Sequence, residues 1–281
     1  MNVWILGSRP RTLPAAVAPV AVATALAAPH QNLTRALLAL LVSLALQIGV
    51  NYANDYSDGI KGTDTDRIGP TRITASGLAT PAAVKRAAIL SFSVAAMAGL
   101  VLALATSLWL IALGAISIIA AWGYTGGKNP YGYKGLGEIS VFLFFGVIAT
   151  VGSYYVQTEK VTLQSVVTSL PMGALACALL AVNNLRDRAK DALVSKRTLA
   201  VRLGDYKARI MYGALLMGAH LFALLTFKPW TVLTLLALPL SASLIRKVMQ
   251  GVSGAELIPI LGKTGKLQLI FAALFAVGLA L

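Results

Sequence analysis

The sequence predicts an all-α membrane protein, a single integral-membrane domain over residues 1–281 with nine transmembrane helices. Three observations carry that expectation. The chain is 57% hydrophobic and only 12% charged, whereas a soluble domain of this size carries about 25% charged residues. Several of its apolar runs reach the roughly 20 residues that a bilayer requires. Its basic residues also fall almost entirely on one side of the runs.

The spans are expected near 12–29, 34–53, 87–106, 108–125, 139–156, 164–185, 208–226, 229–246 and 265–281. The first follows Arg9 and Arg11 but has no clear cleavage site, so it reads as a span rather than a secretory signal. The second and sixth end in segments rich in Asn and Asp. Only a tight turn near Ser107 separates the third and fourth, and the ninth is short for a perpendicular crossing. With the N-terminus on the cytoplasmic side, 21 of the 24 Lys and Arg residues are cytoplasmic; only Arg35, Lys160 and Lys228 are not. That asymmetry gives the net charge of +14 a topological cause, to which a polyanionic substrate could add, and no nucleic acid partner is expected. One cysteine, Cys177, gives no disulfide framework, and His30 and His220 have no ligand spacing.

Six of the ten acidic residues lie in two segments about 130 residues apart. The first runs from Asn51 through Asn54, Asp55 and Asp58 to Asp64 and Asp66. The second holds Asn183, Asn184, Arg186, Asp187 and Asp191. A carboxylate at the membrane edge is costly and marks a functional site. At about 100° per residue, Asn51, Asp55 and Asp58 share one helix face, and Asn183, Asp187 and Asp191 drift only slightly round another. Such oxygen-rich stripes suit Mg²⁺, which binds through one or two carboxylates together with substrate phosphate oxygens. The alternative reading is a pair of solvated helix ends.

Arg67 and Arg72 follow the first segment, and Lys190, Lys196, Arg197 and Arg202 the second. Beside carboxylates they suggest a metal–diphosphate site. Gly69-Pro70 and Gly77 mark turns that could fold this loop over it. The loop from Tyr124 through Lys128 and Tyr131 to Glu138 is rich in glycine, which lets backbone N–H groups approach an anion, but it lacks the P-loop pattern.

Together these segments, with Lys61-Gly-Thr-Asp64, Gly69-Pro-x-Arg72 and the run from Lys196 to Gly204, resemble the UbiA-type intramembrane prenyltransferases. Tyr124-Thr-Gly-Gly, Pro130-Tyr-Gly-Tyr and Gly135-Leu-Gly-Glu138, together with Ser8-Arg-Pro-Arg-Thr-Leu-Pro14, are similar to the branch that prenylates 1,4-dihydroxy-2-naphthoate in menaquinone synthesis. The resemblance implies nine helices round a central cavity, open to the cytoplasmic side and laterally to lipid. It implies Mg²⁺-dependent transfer from a polyprenyl diphosphate to the aromatic acceptor with loss of the acceptor's carboxylate, giving demethylmenaquinone in the cell membrane. Asp55, Asp58, Asp187 and Asp191 are then the metal-holding, catalytic residues. Asn51, Asn54, Arg72, Tyr124, Lys128, Tyr131, Glu138, Asn184, Arg186, Lys196 and Arg197 are the candidate substrate-binding set, and Tyr52, Tyr56 or Tyr124 could face an allylic cation. Many relatives carry Asp-x-x-x-Asp in the first motif, but Gly59 stands at its last position here, leaving Asp58 to supply that carboxylate. A 4-hydroxybenzoate-like acceptor is the nearest alternative. A transporter is a more distant one, since the acids cluster near one face rather than at the midplane.

Overall fold

The computed structural model describes residues 2–63, 69, 71–194 and 196–281. Among these residues there is helix and no strand. A short α1 (Val3–Ser8) and a 3-10 turn lead into α2 (Pro14–Leu26), α3 (Leu33–Ile60), α4 (Pro81–Ala105) and α5 (Trp109–Gly123). Next, α6 (Gly137–Val141) runs through a π-helical stretch, Phe142–Ile148, into α7 (Ala149–Thr158). The chain continues with α8 (Leu163–Leu193), α9 (Leu199–Leu224), a 3-10 segment leading into α10 (Leu238–Met249), and α11 (Leu257–Ala280). Helix thus lies along every stretch that the sequence marks as apolar. By length and composition, six helical segments can cross a membrane, and α2 and α5 are shorter apolar helices. The chain is a multi-pass membrane protein, and apolar side chains face outward along it, with Met97, Leu104 and Ile119 at least 70% exposed.

Local chemistry sets the helix ends. Asn32, Thr80, Thr162 and Thr198 each accept a backbone N–H from the first turn of α3, α4, α8 and α9. Thr162 and Ser165 complete a capping box. The helices that carry the aspartates outrun their apolar stretches: α3 continues to Ile60 and α8 to Leu193, because tertiary contacts hold the polar turns helical. The ninth segment is likewise longer than its apolar run, a 24-residue helix from Leu257. The seventh expected span begins inside α9, which bends at Gly204 (φ 76°, ψ 175°), a backbone conformation open to glycine and strained for residues with a Cβ.

Two packed groups frame the interior. Buried residues of α2, α8, α9 and α11 form the larger core with Leu244 and Val248 of α10, and α3 and α4 form a second one around Tyr52, Ile73 and Phe92. Arg209 of α9 ties the larger core together. Its guanidinium donates to the Val248 and Val252 carbonyls at 2.5 and 2.9 Å and to both oxygens of Asp205. Hydrogen bonds from Arg209 hold the Asp205 carboxyl below the usual carboxylate value, with Arg188 adding to it. This contribution is therefore present at neutral pH and fades as pH falls through the lowered value. Arg209→Met removes a buried donor from two carbonyls. It should lower stability by roughly 2–4 kcal/mol, read as a lower unfolding midpoint in detergent.

A cavity of about 630 Å³ opens between the groups, within the usual range for ligand pockets. Residues of α3 line it from Ala39 to Asp58, which at 1.5 Å per residue is about 28 Å of helix axis. Its wall is apolar along Leu46, Leu113, Phe144, Phe145 and Ile148. It becomes polar where α3 and α8 bring Asn51, Asp58, Asn183, Arg186 and Asp187 together.

Candidate functional site

At the polar end, Asp58 is fully buried. Its Oδ1 accepts the Tyr133 hydroxyl at 2.6 Å. Its Oδ2 has no hydrogen bond and faces the Lys196 ammonium at 3.6 Å and the Arg72 guanidinium at 3.7 Å. Lys196 also lies 3.8 Å from Asp191 Oδ1. One ammonium therefore stands between a carboxylate of α3 and a carboxylate of α8. Lys61 and Lys196 each lie 5.1 Å from the centre of the Tyr133 ring, within cation–π range. Arg186 grips Asp187 through both oxygens, at 2.8 and 2.7 Å, and reaches Asn183 Oδ1 at 2.8 Å. That fork fixes the plane of the carboxylate, and Arg186 Nη1 remains buried without a hydrogen bond. A Cβ on Gly69 would meet this guanidinium at 3.2 Å, so glycine lets the loop pass directly over it.

Amides and aromatic groups complete the wall. Asn51 donates to the Ser8 carbonyl at 2.8 Å and to Thr12 Oγ1 at 3.0 Å, so it ties the N-terminal segment to α3. Asn54 accepts the Thr125 hydroxyl at 2.7 Å. Asn184 donates to Glu138 Oε1 at 3.0 Å, while the buried Oε2 of Glu138 has no partner. Tyr124 and Tyr131 line the cavity and meet edge to face, 5.5 Å between ring centres. The Tyr131 hydroxyl donates to the Ala120 carbonyl at 2.8 Å, and burial raises its pKa above the usual tyrosine value.

Asp55 is arranged differently from its neighbour. It is fully buried and is not among the cavity-lining residues. Its oxygens accept the backbone N–H groups of Ile73 and Thr74 at 3.1 and 2.9 Å, with Arg9 at 3.9 Å. These bonds use one acceptor site on each oxygen and hold the segment that carries Arg72. Asp55→Ala should therefore free that segment and cost roughly 2–4 kcal/mol. The expected readout is faster protease cleavage within residues 71–80, with Asp55→Asn intermediate; unchanged cleavage would contradict the clamp.

Of the expected set, Lys128 and Arg197 are exposed and do not line the cavity. Glu138 and Asp191 are buried and do not line it either, but each touches a residue that does, Asn184 and Lys196 respectively. Tyr52 gives its hydroxyl to the Trp4 carbonyl and Tyr56 packs on Trp122, so of the three candidate tyrosines only Tyr124 reaches the cavity. Asp64, Asp66, Arg67 and Pro70 lie outside the described residues. Conversely, Arg9 and Tyr133 belong to the site without having been singled out. Arg9 adopts a left-handed conformation (φ 51°), lines the cavity and donates to the Asn51 carbonyl at 3.2 Å. The run of basic residues before the first apolar stretch was the available signal, and it reads equally as topology.

The donor chemistry fits Mg²⁺ of one kind. Among the described residues no three carboxylates gather as an all-protein cage. Asp58, with its orphaned oxygen, and Asp187 face a common cavity, and Asp191 adjoins it through Lys196. A few carboxylates with room for phosphate oxygens is how Mg²⁺ is usually held beside a phosphorylated substrate.

The sequence pattern of the UbiA prenyltransferase family matches residues 16–256. The 1,4-dihydroxy-2-naphthoate octaprenyltransferase of Mycobacterium tuberculosis is 51% identical over 99% of this chain and 96% of its own length. The enzyme of the same name from Escherichia coli is 41% identical over 99% and 95%. Among solved structures, a UbiA homolog from Archaeoglobus fulgidus bound to GPP and Mg²⁺ shares the fold, with a TM-score of 0.70 over all of both chains at 15% identity.

Proposed function

The chain belongs to the UbiA prenyltransferase family, and from that premise we propose that it transfers a polyprenyl group from polyprenyl diphosphate to 1,4-dihydroxy-2-naphthoate in the cell membrane. The observation that carries this reading is the meeting of Asp58, Asp187, Arg72, Arg186 and Lys196 at the polar end of a long apolar cavity. The relatives named for this acceptor, 41–51% identical over nearly their whole length, favour it over 4-hydroxybenzoate. We place the N-terminus and the loops around the site on the cytoplasmic side, with nine helical segments crossing the bilayer; the one-sided distribution of Lys and Arg supports both.

The residues divide the work by their chemistry. The apolar wall from Ala39 to Phe145 takes the isoprenoid tail and keeps water from it. Arg72, Arg186 and Lys196 bind the diphosphate and offset the charge that grows on it as the allylic C–O bond breaks. Asp58, Asp187 and Asp191 would hold Mg²⁺, which when bound supplies Lewis-acid neutralisation of the same oxygens. The ring of Tyr124 presents a π-face to the allylic cation. Attack by the electron-rich naphthoate ring forms the new C–C bond, and the acceptor carboxylate leaves as CO2 in the overall reaction. Glu138 and Asn184, beside Tyr124, are placed to orient the acceptor's hydroxyl.

The test is a competition in detergent with polyprenyl diphosphate and Mg²⁺. Equal 1,4-dihydroxy-2-naphthoate and 4-hydroxybenzoate should give prenylated naphthoquinol in large excess. A preference for the benzoate would overturn the acceptor assignment and leave the reaction class standing.

A further inference from the structure

We propose that a second cleft, between α10 and α11, binds the phosphate headgroup of an anionic phospholipid. The cleft holds about 260 Å³ and is lined by Leu240, Ser243, Leu244, Lys247, Lys263, Lys266 and Ile270. On α10, Leu240, Ser243, Leu244 and Lys247 recur at helical spacing and so share one face; on α11, Lys263, Lys266 and Ile270 do the same. This face of α11 is turned away from the catalytic cavity, since Leu261, which lines that cavity, lies about 160° round the helix from Lys263.

The charges are uncompensated. No acidic side chain lines the cleft, and among the described residues none of the three lysines has an ion pair or hydrogen bond. The nearest acid in sequence, Glu256, accepts the Ser253 N–H in a capping box. Three ammonium groups round one small concavity repel each other until an anion enters. Ser243 adds a hydroxyl donor.

The shape selects a lipid rather than a soluble anion. Lys247 lies in the last turn of α10, and Lys263 and Lys266 lie about 9 and 14 Å along α11 from its start. Ile270 lies deeper, about 20 Å along α11, while Leu240 is about 14 Å from the end of α10 and so level with Lys266; Ile270 and Leu236 belong to the outward apolar surface. A headgroup at the lysines thus continues into acyl chains along the aliphatic end, and the lysine stems follow the same surface with their charges toward the headgroup. Basic pockets between membrane helices take anionic lipids in this way. None of these residues belongs to the catalytic site, so the inference stands apart from the proposed reaction.

Native mass spectrometry of the delipidated full chain, with phosphatidylglycerol or phosphatidylcholine added back, tests it. Wild type should retain phosphatidylglycerol in preference. Each lysine neutralised should weaken that retention by about fivefold, so the Lys247→Gln, Lys263→Gln, Lys266→Gln protein should lose the preference, with prenyl transfer in phosphatidylcholine unchanged. The corresponding triple Lys→Arg protein, which keeps the charge, should retain the lipid. Equal retention by wild type and the Gln protein would overturn the proposal. So would loss in the Arg protein, or displacement of the lipid by millimolar inorganic phosphate, which would make the cleft a site for the free anion.

Discussion

Asp58→Asn should reduce metal-dependent prenyl transfer by about 10³-fold or more in a protein that still folds. The substitution keeps the size of the side chain and leaves one oxygen to accept the Tyr133 hydroxyl. It removes the charge that faces Lys196 and Arg72 at 3.6 and 3.7 Å and the orphaned Oδ2 that lies between them. Metal-assisted stabilisation of a departing diphosphate amounts to several kcal/mol, and each 1.36 kcal/mol is tenfold in rate. Asp187→Asn should act similarly by a different route. Arg186 grips both Asp187 oxygens, so the amide also breaks the fork that orients the guanidinium. A rate within tenfold of wild type in either variant would remove that residue from the catalytic set.

Lys196→Met should slow turnover by about a hundredfold and yet tighten Mg²⁺. The two effects have one cause. Lys196 stands between Asp58 and Asp191, and so competes with a divalent cation for their charge while supplying a cation to the diphosphate. A unit charge about 5 Å away is worth roughly 3 kcal/mol at the effective dielectric near a protein surface, so even partial relief should lower the half-saturating Mg²⁺ concentration by about tenfold. The variant loses a diphosphate-binding cation at the same time. Activity measured across a magnesium titration separates the effects: the maximum falls and the midpoint moves down. A midpoint that moves up would mean that Lys196 helps to hold the metal site together rather than competing with it.

How much of this was legible in the sequence follows from the range of each interaction. Asp58, Asp187 and Asp191 stood out because a carboxylate in so apolar a chain has few bland explanations, and helical spacing placed each on a face. Their meeting across α3 and α8 was expected from the paired segments. The clamp at Asp55 was not legible, because its partners are the backbone N–H groups of Ile73 and Thr74, which carry no residue signature. Asp55 and Asp58, three residues apart, look alike in the sequence and are separated only by what the loop brings to each. Lys128 and Arg197 carried the right charge at the right place in the chain, but a basic residue on a loop can turn outward, and both do. Tyr133 escaped for the opposite reason: a tyrosine among glycines reads as an ordinary turn until its hydroxyl is seen on Asp58. The apolar runs located the helices yet placed the ends of α3 and α8 too early, since hydropathy stops at the first polar turn and backbone hydrogen bonding does not.

The most direct test of the central claim is binding without turnover. An unreactive S-thiolo analogue of a prenyl diphosphate is titrated calorimetrically into the full chain, with and without Mg²⁺, for wild type and for Asp58→Asn and Asp187→Asn. Tight binding to wild type that requires Mg²⁺ and is lost in both variants is the predicted result. Binding that is equally tight without the metal, or unchanged in both variants, would contradict a diphosphate held through carboxylates from the two helices.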